Sequence, residues 1–261
     1  MCSQMSTRKI PLDYDPIAAE YNQRYLHDRR QGTLKALRRI LSEIGPQRVL
    51  EVGCGTCHWL AQLHHPDLAC YGIDRSFGML KQAQGSMNSL RCQGLAECLP
   101  IKSQSLDFIY CVNALHHFED AENFFQEAKR VLKPGGTLAM IGMDPSDTRN
   151  RWYIYDFFRG TLKRDLARFP AWDLVTYWLN LMDFEQVHLE DVEFINDPKT
   201  KTAVLQDPFL SKNACSQLAL LSQDQYQEGL AKLRAHVNAN HPPGYRYQNT
   251  IILSMLTAKI P

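Results

Sequence analysis

The chain is expected to fold as an α/β domain: a doubly wound, mostly parallel seven-stranded sheet with an antiparallel final strand and a helical cap from late insertions. Three observations predict it. Apolar, strand-like runs alternate with amphipathic helical segments as far as residue 143, the pattern of βαβ units covered on both faces. Turn residues such as Gly45-Pro46 and Lys133-Pro134-Gly135-Gly136 separate the segments. The stretch Val49–Leu60 runs from an apolar strand through a glycine-rich turn into an apolar helix. In doubly wound folds such a turn sits at the carboxyl edge of the strands, where ligands bind.

Each element has its own signal. Leu34, Leu37, Ile40, Leu41 and Ile44 recur at helical spacing over Gly32–Ile44, and Gly45-Pro46 ends that helix. Arg48–Val52 is a strand, Cys57–Leu63 a short helix and Ala69–Asp74 a second strand. Ser76 supplies an N-cap for a helix through Met79, Leu80 and Ala83. Leu90–Gln93 reads as a short third strand and Leu106–Val112 as an apolar fourth, broken only by Asp107. Ala121–Leu132 is amphipathic, Lys133–Gly136 is its stop and turn, and Thr137–Gly142 is the fifth strand.

Beyond Gly142 the texture changes. Asp144–Arg168 is rich in Trp, Tyr, Phe and Arg, Leu174–Met182 looks helical, and Phe184–Phe194 alternates as a strand. A long excursion from Asn196 to Tyr247 includes a helix, Gln223–Val237, capped by Ser222, and Tyr247–Ala258 is the closing strand. The extra material is the natural source of a cap over the ligand edge.

The chain has 261 residues, 29 Lys+Arg against 28 Asp+Glu, and a formal charge of +1. The length suits one domain with a sizeable insertion. Mixed, balanced charge gives no electrostatic case for a nucleic-acid or anionic-membrane partner. The 8 cysteines are scattered, several within apolar runs, and read as thiols of a reducing compartment rather than a disulfide framework. Met1–Arg8 lacks the apolar core of a signal peptide, and no stretch approaches the roughly 20 apolar residues of a membrane helix. A cytoplasmic protein is the expectation.

The glycine turn admits three chemistries. A dinucleotide fingerprint would place a third glycine where this chain has His58. Cys54-Gly55-Thr56-Cys57 has the spacing of a redox motif, and His58 completes a c-type haem attachment pattern. The third reading is nucleoside binding. Glu51-Val52-Gly53-Cys54-Gly55-Thr56 resembles the E/D-x-G-x-G-[TS] loop of class I S-adenosylmethionine-dependent methyltransferases. Tyr71–Asp74 is similar to the family's second-strand acidic motif, and Ala96–Pro100 to its A-E-x-L-P. Asp107–Phe118 resembles its fourth strand and turn, and Glu127–Leu138 its E-x-x-R-V-L-K-P-G-G-x-L. The resemblance covers Tyr14 to Met143 and is nearest to the ubiquinone/menaquinone-type and related small-molecule enzymes.

That resemblance implies S-adenosylmethionine as cofactor on a Rossmann-like sheet. It implies that backbone N–H groups of Gly53, Cys54, Gly55 and Thr56 meet the cofactor's carboxylate, Glu51 its ammonium and Asp74 its ribose hydroxyls. Arg75 and Met79 would flank the adenine, with Leu95 and Ala96 on its other side; family members often carry Asp or Asn where Leu95 stands. Asn113 and Ala114 would lie under the sulfonium. Tyr14–Tyr21 resembles an N-terminal lid, in which Tyr21 and Arg24 close over the methionyl end. The implied layout is one domain over 1–261: N-terminal helices and lid at 1–45, a cofactor half at 46–143, a substrate half with cap insertions at 144–247 and a closing strand at 248–261. His117 is the candidate base for a small, apolar or aromatic acceptor, contacted by Tyr14, His117, Trp152 and Tyr153. O-, N- and C-methylation stay open, no metal site is expected, and Cys54 and Cys57 serve through backbone and packing.

Overall fold

In a computed structural model, the structure describes residues 12–22, 31–83 and 90–261. Its helices are α1 (Ala18–Tyr21), α2 (Gln31–Ile44), α3 (His58–Leu63), α4 (Phe77–Lys81), α5 (Ala121–Val131), α6 (Tyr153–Phe157), α7 (Thr161–Arg168), α8 (Trp172–Leu181), α9 (Lys201–Leu205), α10 (Ser216–Ala219) and α11 (Gln223–Asn238). Its strands are β1 (Arg48–Val52), β2 (Ala69–Asp74), β3 (Leu90–Gln93), β4 (Leu106–Val112), β5 (Leu132–Gly142), β6 (Arg151–Trp152), β7 (Glu185–Asn196) and β8 (Asn249–Lys259).

β3, β2, β1, β4 and β5 pair in parallel in that order; β8 adds antiparallel to β5, and β7 pairs antiparallel with β8. The direction of strand succession reverses between β1 and β4. A crevice therefore opens beyond the carboxyl ends of those two strands. Period-two alternation divides the sheet's side chains between two cores. Leu50, Ile109, Cys111, Leu138 and Met140 face α5 and α8, through Phe124, Phe125, Val175 and Leu179. Val49, Phe108, Tyr110, Ala139 and Ile141 face α2 and α3, through Leu34, Leu37, Ile40 and Leu60. Burying one such Leu, Ile or Phe contributes about 1.5–3 kcal/mol.

Two features differ from the sequence reading. Arg151–Trp152 forms a short eighth strand against Asn249 and Thr250, a pairing set by a distant partner. Lys133–Gly136, expected as the turn between a helix and a strand starting at Thr137, lies inside β5 as a bulge: Leu132 pairs with Leu106, and the ladder resumes at Thr137 opposite Phe108. Gly135 takes φ +75° there. Ile260 exchanges hydrogen bonds with Gly135 and Gly136 at 3.0 and 2.9 Å, so the chain's end satisfies the backbone of that turn.

The late insertion, 197–248, leaves the sheet where β7 ends and returns where β8 begins, on the crevice side. It builds a third core with Trp152 of β6, Tyr153 and Ile154 of α6, Phe158 just after α6, and Val204, Leu218 and Leu233 from the insertion. Asp165 is buried beside this core and accepts from Tyr155, Gln217 and Arg168 at 2.6–2.8 Å. Among the described residues, no helix is long and apolar enough to cross a membrane.

Candidate functional site

The glycine turn is folded as tightly as its composition suggests. Gly53, Gly55 and Cys57 all take positive φ (70°, 53° and 58°). A Cβ at Gly53 would stand 2.5 Å from the Ala114 Cβ. Gly53→Ala is therefore expected to lose about 1–3 kcal/mol of stability, read as a lowered denaturation midpoint; an unchanged midpoint would contradict this packing.

The turn forms one wall of a cleft of about 870 Å³, counted out to the solvent at its mouth. Glu51, Gly53, Cys54, Gly55, Asp74, Arg75, Met79, Leu95, Ala96, Asn113, Ala114 and His117 line it, with Tyr14 and Tyr21 from the N-terminal segment. Trp59, Phe118, Glu97 and Glu119 also line it, although the sequence reading did not assign them to the site. Trp59 was within reach: it is the second residue of the helix that the glycine turn starts.

Asp74, at the end of β2, accepts from Gly55 N–H on Oδ2 (2.7 Å) and from Ser76 N–H on Oδ1 (2.8 Å). Burial raises its carboxyl above the usual range, and these two N–H groups pull the other way. Both oxygens keep acceptor capacity, as a vicinal diol requires. Glu51 is 1% exposed. Its Oε2 accepts from Leu60 N–H (3.1 Å) and the Tyr110 hydroxyl (3.2 Å). Desolvation holds its carboxyl well above the ordinary value. An incoming cation would favour the charged form and meet a carboxylate with oxygen capacity to spare. Asn113 takes φ +51°, anchored by its N–H to Ile141 O at 2.8 Å. Asn tolerates that conformation better than other non-glycine residues, and here it turns the chain sharply out of β4 along the cleft.

His117 ends the next turn. Its Nε2 lies 2.8 Å from the Tyr14 hydroxyl, and the two rings meet edge-on at 5.1 Å. Tyr14 packs edge-on against Tyr21 as well. The segment bearing them is pinned: Asp15 Oδ1 accepts from Ser76 Oγ and from Gly78 N–H (2.9 Å). Those contacts hold the Asp15 carboxyl below its ordinary range. On the other side of the turn, His116 stacks on Phe169 at 3.8 Å. The A-E-x-L-P segment is locked from below, where Glu127 accepts from Leu99 N–H (2.7 Å) and from Arg130, whose guanidinium also donates to Leu99 O and Ile101 O.

Several expected roles change. The N–H groups of Gly53 and Cys54 both donate to Ile73 O (2.7 and 3.0 Å), and that of Gly55 to Asp74. They brace the turn against β2 instead of offering free donors for a carboxylate. Thr56 does not line the cleft; its hydroxyl donates to Asn22 Oδ1 at 2.6 Å and ties the N-terminal segment to the turn. Trp152 and Tyr153 lie in the third core, with the Tyr153 hydroxyl donating to buried Asp207 at 2.9 Å. They are spent on holding the cap together. Arg24 lies outside the described residues. Among the described residues no His, Cys, Asp and Glu cluster has the makings of a metal site. No residue after Glu119 lines the cleft, so the covering segment seen here is the N-terminal one, not the late insertion.

The cleft fits the group that the sequence motifs imply. It pairs a buried carboxylate for an ammonium with a second carboxylate for a diol, and half-exposed Leu95 and buried Ala96 and Met79 offer apolar surface for a base. Comparison with known proteins agrees. Residues 50–140 match the methyltransferase domain family. The uncharacterised methyltransferase YcgJ of Bacillus subtilis is 34% identical over 161 residues, 58% of this chain and 61% of that protein. The malonyl-acyl-carrier-protein O-methyltransferase of Methylovorus sp. is 27% identical over 150 residues, 52% of this chain and 50% of that protein. The chain thus spans about half to three-fifths of the length of these curated relatives. The crystal structure of the cyclase SpnF superimposes with a TM-score of 0.59 at 19% identity, covering 95% of this chain and 94% of that one, a likeness of fold. The domain match runs from β1 into β5 with the site motifs in register along it, and this stretch of the chain is similar to the class I S-adenosylmethionine-dependent methyltransferases.

Proposed function

We propose that this chain moves the methyl group of S-adenosylmethionine onto a small, apolar or aromatic molecule in the cleft at the β1–β4 switch point. One observation carries the reading: Glu51, Asp74 and His117, three groups of different chemical use, stand on the walls of a single cleft. When bound, the cofactor supplies a methyl group activated by a sulfonium, which leaves as a neutral thioether. The rest falls to the chain. Glu51 holds the ammonium, Asp74 the ribose hydroxyls, and the Asn113–Ala114 turn fixes the depth of the reacting end. Alignment of this kind contributes about 7–11 kcal/mol of barrier reduction.

On this reading His117 takes a proton from the acceptor, which its hydrogen bond with the Tyr14 hydroxyl on the lid side supports by fixing the imidazole. Replacing His117 with Asn is expected to lower kcat by about 10²–10⁴ while the cofactor KM stays within threefold. Tyr14→Phe should lower kcat by about tenfold. Equal rates in all three proteins would remove His117 from the chemistry.

The balanced charge of +1 favours a small-molecule acceptor over nucleic acid. The seven described cysteines stand as free thiols, which favours the cytoplasm. Calorimetric titration with S-adenosylmethionine and S-adenosylhomocysteine tests the cofactor site; a folded protein that binds neither ends the proposal. Since SpnF shows the same fold with a cyclase's name, binding alone is insufficient. Methyl-labelled cofactor, incubated with protein and a metabolite extract and read by mass spectrometry, tests turnover and names the acceptor.

A further inference from the structure

The Cys-x-x-Cys spacing has no part in methyl transfer, yet the fold brings its two sulfurs together. Cys57 Sγ and Cys54 Sγ lie 3.6 Å apart. A turn closed by Cys57 N–H to Cys54 O at 2.8 Å sets the pair on one side of the chain. The positive φ of Cys57 completes that arrangement. Cys54 lines the cleft, while Cys57 is fully buried behind it. We propose that Cys54 and Cys57 are a peroxide-oxidised modification site, whose reversible disulfide distorts the glycine turn and weakens cofactor binding. This rests on the cofactor site proposed above.

The geometry dictates what oxidation does. A disulfide needs sulfurs about 2.05 Å apart, so these two must close by roughly 1.5 Å from their 3.6 Å separation. The Cys54 sulfur is wedged against Gly72, where an added Cβ would stand 2.9 Å from it. Little room remains on that side, and the strain passes to Gly55 and Thr56 between the cysteines. Gly55 N–H is the donor that orients Asp74, and the Thr56 hydroxyl holds Asn22 of the N-terminal segment. The donor that orients the diol acceptor and the anchor of the lid are therefore both carried on the four-residue loop that oxidation closes.

The chemistry balances. The sulfur–sulfur hydrogen bond holds the Cys57 thiol below its ordinary range and raises that of Cys54, so the pair releases its first proton from Cys57. That thiolate takes the proton of Cys54 across the sulfur–sulfur contact, and the Cys54 sulfur, on the cleft wall, attacks one oxygen of hydrogen peroxide; the O–O bond breaks, giving a sulfenic acid and, after protonation, one water. The second sulfur displaces the sulfenic oxygen, which leaves as a second water, and the S–S bond forms. Two thiols are oxidised and one peroxide is reduced. A dithiol reductant reverses the step by exchange. Because Cys54 is in the cleft wall, bound S-adenosylhomocysteine should shield the pair.

The test uses the full chain with exposed Cys92 and Cys98 replaced by Ser. It is treated with hydrogen peroxide, alkylated, and analysed by intact and peptide mass. The expected result is a loss of two mass units, a Cys54–Cys57 crosslink, slower oxidation with S-adenosylhomocysteine present, and affinity at least tenfold weaker until dithiothreitol restores it. Cys57→Ser in the same background should bind as the reduced protein does and ignore peroxide. If that variant misfolds, the dithiothreitol cycle alone decides. No crosslink, or a crosslink with unchanged affinity, overturns the inference. Failure of the reduced protein to bind cofactor instead strikes the cofactor site itself, while the mass readout still reports the disulfide.

Discussion

Asp74→Asn is expected to weaken S-adenosylmethionine binding by about 10²-fold or more. Hydrogen bonds to a charged acceptor contribute about 1.5–3 kcal/mol each, and a ribose diol makes two. The substitution also strikes the turn. Asp74 receives Gly55 N–H on one oxygen and Ser76 N–H on the other. An amide offers one oxygen and one NH₂, so one of these donors must face another donor. The glycine turn and the α4 cap would then no longer be fixed by one side chain. Calorimetry on the folded variant measures the loss. Adenosine, which carries the ribose but no methionyl group, should lose affinity by a similar factor. If adenosine lost nothing, Asp74 would be bracing the turn without touching the ligand.

What the residue pattern announced, and what it concealed, divide along physical lines. β1, β2 and β4 were readable to the residue because their apolar runs are bounded by turn residues on both sides. β5 was not: its start at Leu132 depends on Leu106 and on Ile260, far away in the chain. The Gly53 turn was legible because only glycine suits both the left-handed φ and the approach of Ala114. Composition said nothing of where its N–H groups point, and Ile73 O claims two of them. Trp152 and Tyr153 misled for a related reason. An aromatic run signals burial but not against what, and Asp207 and the insertion's own apolar residues gave these two a core of their own. The Tyr14–His117 pairing spans 103 positions; no local pattern encodes it, and the docking of Asp15 on the α4 cap helps to bring it about.

Glu51→Gln separates function from stability, and its two effects carry opposite signs. The carboxyl is buried, and desolvation lifts its pKa well above 4.5. The folded protein therefore holds this proton more tightly than the unfolded chain does. Stability then falls as pH rises from about 4.5 through the raised folded value, because the unfolded state ionises freely and the folded state does not. Gln cannot ionise, and its carbonyl can still accept from Leu60 N–H and the Tyr110 hydroxyl. The variant should melt at or above the parent's temperature at pH 8, with the gap closing toward pH 4.5. Cofactor affinity should move the other way, down about 10–100-fold, since a charge-assisted contact to the ammonium is worth about 1.5–3 kcal/mol. Thermal melts at both pH values and calorimetry at pH 8 check the pair. A variant less stable at pH 8 than its parent, with cofactor affinity intact, would make Glu51 a structural brace between α3 and β4. The opposite pattern identifies a residue kept at a cost to the fold because the ligand requires its charge.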